Sequence, residues 1–285
     1  MPNSVLITGA NSGIGLVTAL ELAAAGWDVI GTARTAQKAA HVVEVAEERG
    51  LAVRTVLCDV DDAVSCARAV KEAEQLTEGL GALVNNAGYV QAGAVEDLSD
   101  ELVRAQLETN VVAPIRLARL VLPGMRERGT GRIVNVSSVA GRLSTPLMGW
   151  YAASKHALEA VTDALRMEVE GDGIKVSLVE PGMFATDIWS ATESTAFPPA
   201  STARYAAAYA RGQALGARSH KLPDPVWVAR TIRLALSNPV PLARYVVGAD
   251  AVGGILAERV LPTVITDYVK AITSGLRSPV RLPFL

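Results

Sequence analysis

The sequence predicts one α/β domain in which a parallel sheet carries helices on both faces, the doubly wound arrangement. Three observations lead there. The chain has 285 residues, 50% of them hydrophobic, enough to bury one large core. Short β-branched runs alternate with longer helical patterns along most of its length. Those runs are apolar on both faces, as strands are when helices cover both sides of a sheet.

Taken in order, the strand runs fall at 5–8, 28–32, 52–57, 82–85, 132–136, 175–179 and 245–247, with helical patterns between them. Right-handed crossovers leave few topologies for such a series. The stretch 187–224 breaks the rhythm. It is rich in Ala, Ser and Thr, holds Pro198, Pro199 and Pro223, and carries Trp189, Phe197, Tyr205 and Tyr209. Too long for an ordinary connection, it is expected to form a lid over a substrate site. The tail at 251–285 reads as an extension, helical as far as Gly275. No repeat or second boundary interrupts 1–285, which is read as a single domain.

Composition narrows the function classes. Formal net charge is −2, from 27 basic and 29 acidic residues, and no basic run suited to nucleic acid appears. The start lacks the basic flank and apolar core of an export signal, so a cytoplasmic location is expected, with Cys58 and Cys66 as reduced thiols. Charges such as Glu21, Arg104, Arg116 and Arg119 interrupt every apolar stretch before it reaches the ~18 residues of a membrane span. His41, His156 and His220 are scattered without ligand spacing, and no metal is expected.

Thr8-Gly-Ala-Asn-Ser-Gly-Ile-Gly15 follows the first strand and opens a helical pattern. Between strand and helix, such glycines let the backbone approach a pyrophosphate while free N–H groups and the helix dipole attract its charge. A carboxylate about 20 residues on, at the end of the second strand, would hold an NAD ribose. Here the strand runs into Gly31-Thr-Ala-Arg-Thr35, and Arg34 suits a 2′-phosphate instead, which favours NADP(H) over NAD(H).

Tyr151-Ala-Ala-Ser-Lys155 opens another helical pattern and puts a phenol and an ammonium on one face. A free phenol ionises near pH 10, so it needs a neighbouring cation to act as an acid or base near neutrality. Such a pair is common on ordinary helices. Upstream, the strand 132–136 runs into Ser137-Ser138, where Ser138 could donate to a carbonyl oxygen or simply cap a turn. Asn85-Asn-Ala-Gly88 closes the fourth strand, and Asn110 sits in an apolar helical stretch that disfavours an amide.

In order, these segments resemble the TGxxxGxG, NNAG, Ser, YxxxK and PG motifs of the short-chain dehydrogenase/reductase family, over roughly residues 3 to 250. The resemblance implies a single-domain Rossmann fold of seven parallel strands and a catalytic set of Asn110, Ser138, Tyr151 and Lys155. It also implies that Gly9, Ser12, Gly13, Ile14 and Gly15 hold the pyrophosphate, Asp59 and Val60 the adenine, and Asn86 the adenosine-side ribose and the sheet end. Tyr151 and Lys155 also contact the cofactor, Arg34 stands at the NADP-selecting position, and Pro181, Phe184 and Thr186 belong to a segment that meets the nicotinamide carboxamide.

The implied reaction interconverts a carbonyl and an alcohol, and a homodimer or homotetramer is expected. The run from Tyr151 to Gly182 is most similar to the branch of 17β-hydroxysteroid and retinol dehydrogenases, and Leu143, Met148, Trp150, Phe184 and Trp189 suggest a bulky apolar substrate. An epimerase or dehydratase on a related fold, or a non-catalytic NADP-binding regulator, are the alternatives. The glycine spacing argues against the first and the complete set of four against the second.

Overall fold

All seven apolar runs fold as strands, within two residues of the expected bounds at each end. The computed structural model describes residues 3–186, 204–216 and 219–277. The strands are β1 (Ser4–Ile7), β2 (Asp28–Ala33), β3 (Val53–Leu57), β4 (Ala82–Asn85), β5 (Gly131–Val136), β6 (Ile174–Pro181) and β7 (Arg244–Val247). They form one parallel sheet in the order β3-β2-β1-β4-β5-β6-β7. This is the doubly wound Rossmann topology, and the order reverses between β1 and β4. In open α/β sheets ligands bind outside the carboxyl ends of the strands at that switch point.

Between the strands run α1 (Gly13–Ala24), α2 (Ala36–Glu47), α3 (Ala63–Thr77), α4 (Asp100–Leu107), α5 (Ala113–Glu127) and α6 (Gly149–Glu168). After β6 come α7 (Ala206–Gly216), α8 (Val226–Ser237), α9 (Ala249–Val260) and α10 (Thr263–Thr273). Two hydrophobic layers sandwich the sheet. One joins Val5, Ile7 and Val29 to α1 and α8, and the other joins Leu6, Ile30 and Leu83 to α3 and α5. Consecutive residues of β1 thus face opposite layers, which explains its uninterrupted apolar sequence.

The extension proves to be two helices, because Leu261-Pro262 breaks the pattern between α9 and α10. The expected lid falls partly outside the described residues, whose share of it includes α7. Two tyrosines fasten that helix to the segment after β4. Tyr209 Oη donates to Asp97 at 2.6 Å and accepts from Ala94 N at 2.9 Å, and Tyr205 Oη donates to Glu96. Among the described residues no helix is long and apolar enough to cross a membrane.

Candidate active site

Backbone geometry makes the glycine loop. Gly9 and Gly13 have φ of +64° and +52°, a region open mainly to glycine. Gly15 is required for a different reason: a Cβ there would lie 2.2 Å from Gly9 O and 2.5 Å from Asn86 Nδ2. Gly31 lets β2 pass the loop, since its Cβ would come within 2.8 Å of Ala10 Cβ. At the N-terminus of α1, Ser12 makes no side-chain cap, and the first turn holds no acid. By contrast, Thr35, Asp62 and Ser99 each accept a backbone N–H at the starts of α2, α3 and α4. The first N–H groups of α1 are thus left to an external acceptor, and the dipole there favours an anion. These features fit a pyrophosphate.

Asn86 turns out to be a clamp. Its Nδ2 donates to Thr8 O at 2.9 Å and to Gly9 O at 3.4 Å, while its backbone N and that of Ala87 both donate to Thr8 Oγ1 at 2.9 Å. The ends of β1 and β4 are tied together at the switch point by these bonds.

Asn110 lies in a π-helical turn, Glu108–Val112, inserted between α4 and α5. Such single wide turns cluster at functional sites. Its Oδ1 accepts from Tyr89 N at 3.1 Å, and its Nδ2 donates to Tyr89 O and Ser154 Oγ, both at 3.0 Å. Ser154 Oγ in turn donates to Tyr151 O at 2.7 Å, so Asn110 braces the start of the Tyr151 helix. Gly88 completes the junction, where a Cβ would stand 3.0 Å from Asn110 Oδ1 and 3.7 Å from Lys155 Nζ.

Ser138 caps a turn, one of the two parts expected of it. Its Oγ accepts from Ala140 N at 3.1 Å, capping the turn Val139–Gly141, and the side chain stands beside the Tyr151 phenol. Tyr151 is 7% exposed and packs with Val90 and Ala92, with Ala140 and Met148 alongside. Burial raises the phenol above its ordinary value, and the neighbouring Ser138 hydroxyl pulls the other way. Lys155 Nζ sits 5.9 Å from the centre of the Tyr151 ring and donates to Val136 O at 3.0 Å. Burial lowers its pKa to about 8, against an upward pull from Glu159.

At the other end, Arg34 follows β2 with its side chain exposed, and it has no hydrogen bond or ion pair among the described residues. Asp59 and Val60 form the exit of β3, where Arg116 donates to Val60 O at 2.8 Å and Thr109 donates to Asp61 at 2.8 Å. The second bond ties the expected adenine end to the turn that carries Asn110. After Pro181, the N–H of Met183 donates to Asp250 at 2.7 Å, and Phe184 is buried. A Cβ on Gly13 would stand 3.4 Å from Thr186 Cβ, so this segment closes against the glycine loop. The structure therefore brings every expected site residue to one sheet edge. Sequence reasoning assigned no part to Thr8, Ser154, Thr109 or Arg116; the first two lie inside motifs already recognised, and nothing local marks the others.

The short chain dehydrogenase family model matches residues 3–196, more than half of the chain. The chain belongs to the short-chain dehydrogenase family. Among curated relatives, the oxidoreductase YbbO of Escherichia coli (strain K12) is 36% identical over 271 residues, 94% of each chain. The NADPH-dependent 3-dehydrocapnine reductase of Ornithobacterium rhinotracheale is 33% identical over 85% of this chain and 87% of its own length. Human retinol dehydrogenase 5 is 35% identical over 93% of this chain and 86% of its own. Of the solved structures, a short-chain dehydrogenase/reductase from Burkholderia phymatum in complex with NAD has a TM-score of 0.79 at 26% identity, covering 90% of this chain and 92% of that one. Actinorhodin polyketide ketoreductase with NADPH has a TM-score of 0.75 at 30% identity, covering 87% and 96%. This short-chain dehydrogenase is thus an oxidoreductase with a nicotinamide nucleotide site and retinol dehydrogenase-like relatives.

Proposed function

We propose that this short-chain dehydrogenase uses NADP(H) to interconvert a bulky apolar ketone or aldehyde and its alcohol, with Tyr151 as the acid/base. The observation that carries this is the buried phenol beside Ser138, with Lys155 Nζ 5.9 Å from the centre of its ring, at the same sheet edge as the open α1 terminus. The bound cofactor supplies or accepts the hydride. Burial keeps the phenol protonated near neutral pH, the form that donates to a carbonyl oxygen in reduction. Ser138 polarises the same oxygen, and the Lys155 ammonium stabilises the phenolate left behind. Asn110, through Ser154, holds the helix in register for this transfer.

The apolar wall of Val90, Ala92, Ala140 and Met148 beside Tyr151 supports an apolar substrate, and a retinol dehydrogenase stands among the relatives. We read a cytoplasmic homo-oligomer, supported by the exposed Ala160, Val161 and Ala164 on α6, a small-residue surface suited to close packing. Light scattering of the purified protein tests this, with a monomer as the contrary result.

For the cofactor, the exposed Arg34 guanidinium at the end of β2, without a partner among the described residues, supports NADP(H), and one relative is NADPH-dependent by name. Arg34→Ala removes charge-assisted bonds worth about 1.5–3 kcal/mol, so NADPH affinity should fall about 10- to 100-fold while NADH affinity stays nearly level. Fluorescence titration of both cofactors checks this. Equal losses would remove Arg34 as the selector. The reaction itself is tested by NADPH oxidation across bulky ketones and aldehydes, where tight binding without turnover on any of them would favour a regulator.

A further inference from the structure

Behind Lys155, on the side away from Tyr151, lies a buried charged cluster that the proposed reaction does not use. Glu159 follows Lys155 by one turn of α6, and Glu180 stands on β6 with no exposed side-chain surface. Both lean on one nitrogen: Arg244 Nε is 2.9 Å from Glu159 Oε2 and 3.2 Å from Glu180 Oε1. Arg142 approaches Glu180 Oε1 at 3.3 Å, and Arg244 also pairs with Asp163, which Arg166 meets at 3.0 Å. The outer carboxylate oxygens, Glu159 Oε1 and Glu180 Oε2, are buried without a hydrogen-bond partner, as is Ser137 Oγ. A Cβ on Gly141 would stand 2.8 Å from Ser137 Oγ and 3.1 Å from Glu159 Oε1, so Glu159 also abuts the turn that carries Ser138.

Two buried carboxylates that converge on one guanidinium nitrogen repel each other, and with Arg142 as the only further cation on Glu180 among the described residues, ionising both costs more than ionising one. We propose that Glu180 holds a proton beside an ionised Glu159 and that the two act as positioning residues for the Tyr151–Lys155 pair, with Glu159 keeping Lys155 cationic from one helical turn away. This rests on the reading of Tyr151 and Lys155 as the acid/base couple. The groups facing the pair are Lys155 and Asp163 on α6, Arg142 on the turn before it and Arg244 on β7; Arg166 faces Asp163, and Asp250 is engaged by Met183 N. Burial and the neighbouring Glu159 charge raise Glu180 to about 7, with the two guanidiniums opposing, and Glu159 is also the group that offsets the burial penalty on Lys155.

The first test needs no turnover. Infrared difference spectra across the acid-to-neutral range should show a protonated carboxyl titrating at about pH 7, absent in Glu180→Gln and moved to lower pH in Glu159→Gln. Because the folded state holds this proton more tightly, the stability it contributes is full below the ordinary carboxyl value of 4.5 and is lost as pH rises through about 7. The Tm of the unaltered protein should therefore fall over that window relative to Glu180→Gln. The second test follows carbonyl reduction against pH in a preparation whose Tyr151→Phe control is inactive. Glu159→Gln should shift the alkaline limb of kcat/KM down by about one pH unit, and Glu159→Asp should restore it. No titrating carboxyl in that range, or a Glu159→Gln profile lowered evenly with its limb unmoved, overturns the proposal. An active Tyr151→Phe control would instead overturn the acid/base reading, and the infrared result would stand apart from it.

Discussion

Tyr151→Phe should reduce kcat for carbonyl reduction by about 10²- to 10⁴-fold, the usual worth of a positioned acid, and leave NADPH binding within about twofold. Phenylalanine keeps the ring that packs on Val90 and Ala92. The variant loses only the hydroxyl that stands beside Ser138, so a fall in turnover cannot be assigned to a collapsed helix. Single-turnover kinetics with saturating NADPH isolates the chemical step. Unchanged turnover would show that the phenol takes no part, and lost cofactor binding would show that its main role is in the site's architecture.

Gly15→Ala should weaken either cofactor by about 10²- to 10³-fold, the worth of about two charge-assisted hydrogen bonds. The methyl would meet the backbone oxygen of Gly9 at 2.2 Å, which no rotamer relieves. The start of α1 or the Gly9 turn must move, and either shift takes amide groups away from the pyrophosphate. Gly253→Ala is the matched control, since nothing lies within 4 Å of its added Cβ and alanine suits the middle of α9 better than glycine. Isothermal titration of both variants reads the contrast. Full affinity in Gly15→Ala would place the pyrophosphate elsewhere.

What the sequence discloses depends on how local the cause is. The strands were legible because each is a short run apolar on both faces, and the glycine loop because its special φ values need glycine at fixed spacing. Asn110 stood out as an amide in an apolar helical stretch, and the structure shows the π-turn that hosts it. The break at Leu261-Pro262 divides what reads as one helical tail. Less visible were contacts that join distant segments. Nothing in the pattern of β6 marks Glu180 as buried, and its partners Arg142, on the turn after β5, and Arg244, on β7, reach it only once β6 lies between β5 and β7. Asn86 was recognised by motif, but its clamp on Thr8 and Gly9 appears only when β1 and β4 lie side by side.

The most direct measurement follows the hydride itself. The unaltered protein would be given a bulky apolar ketone and NADPH deuterated at the reactive nicotinamide carbon, with the product examined by mass spectrometry. The account predicts an alcohol with one deuterium at the carbinol carbon, formed at a rate that Tyr151→Phe largely abolishes. An alcohol without deuterium, or NADPH bound tightly and returned unchanged across such ketones and aldehydes, would contradict it.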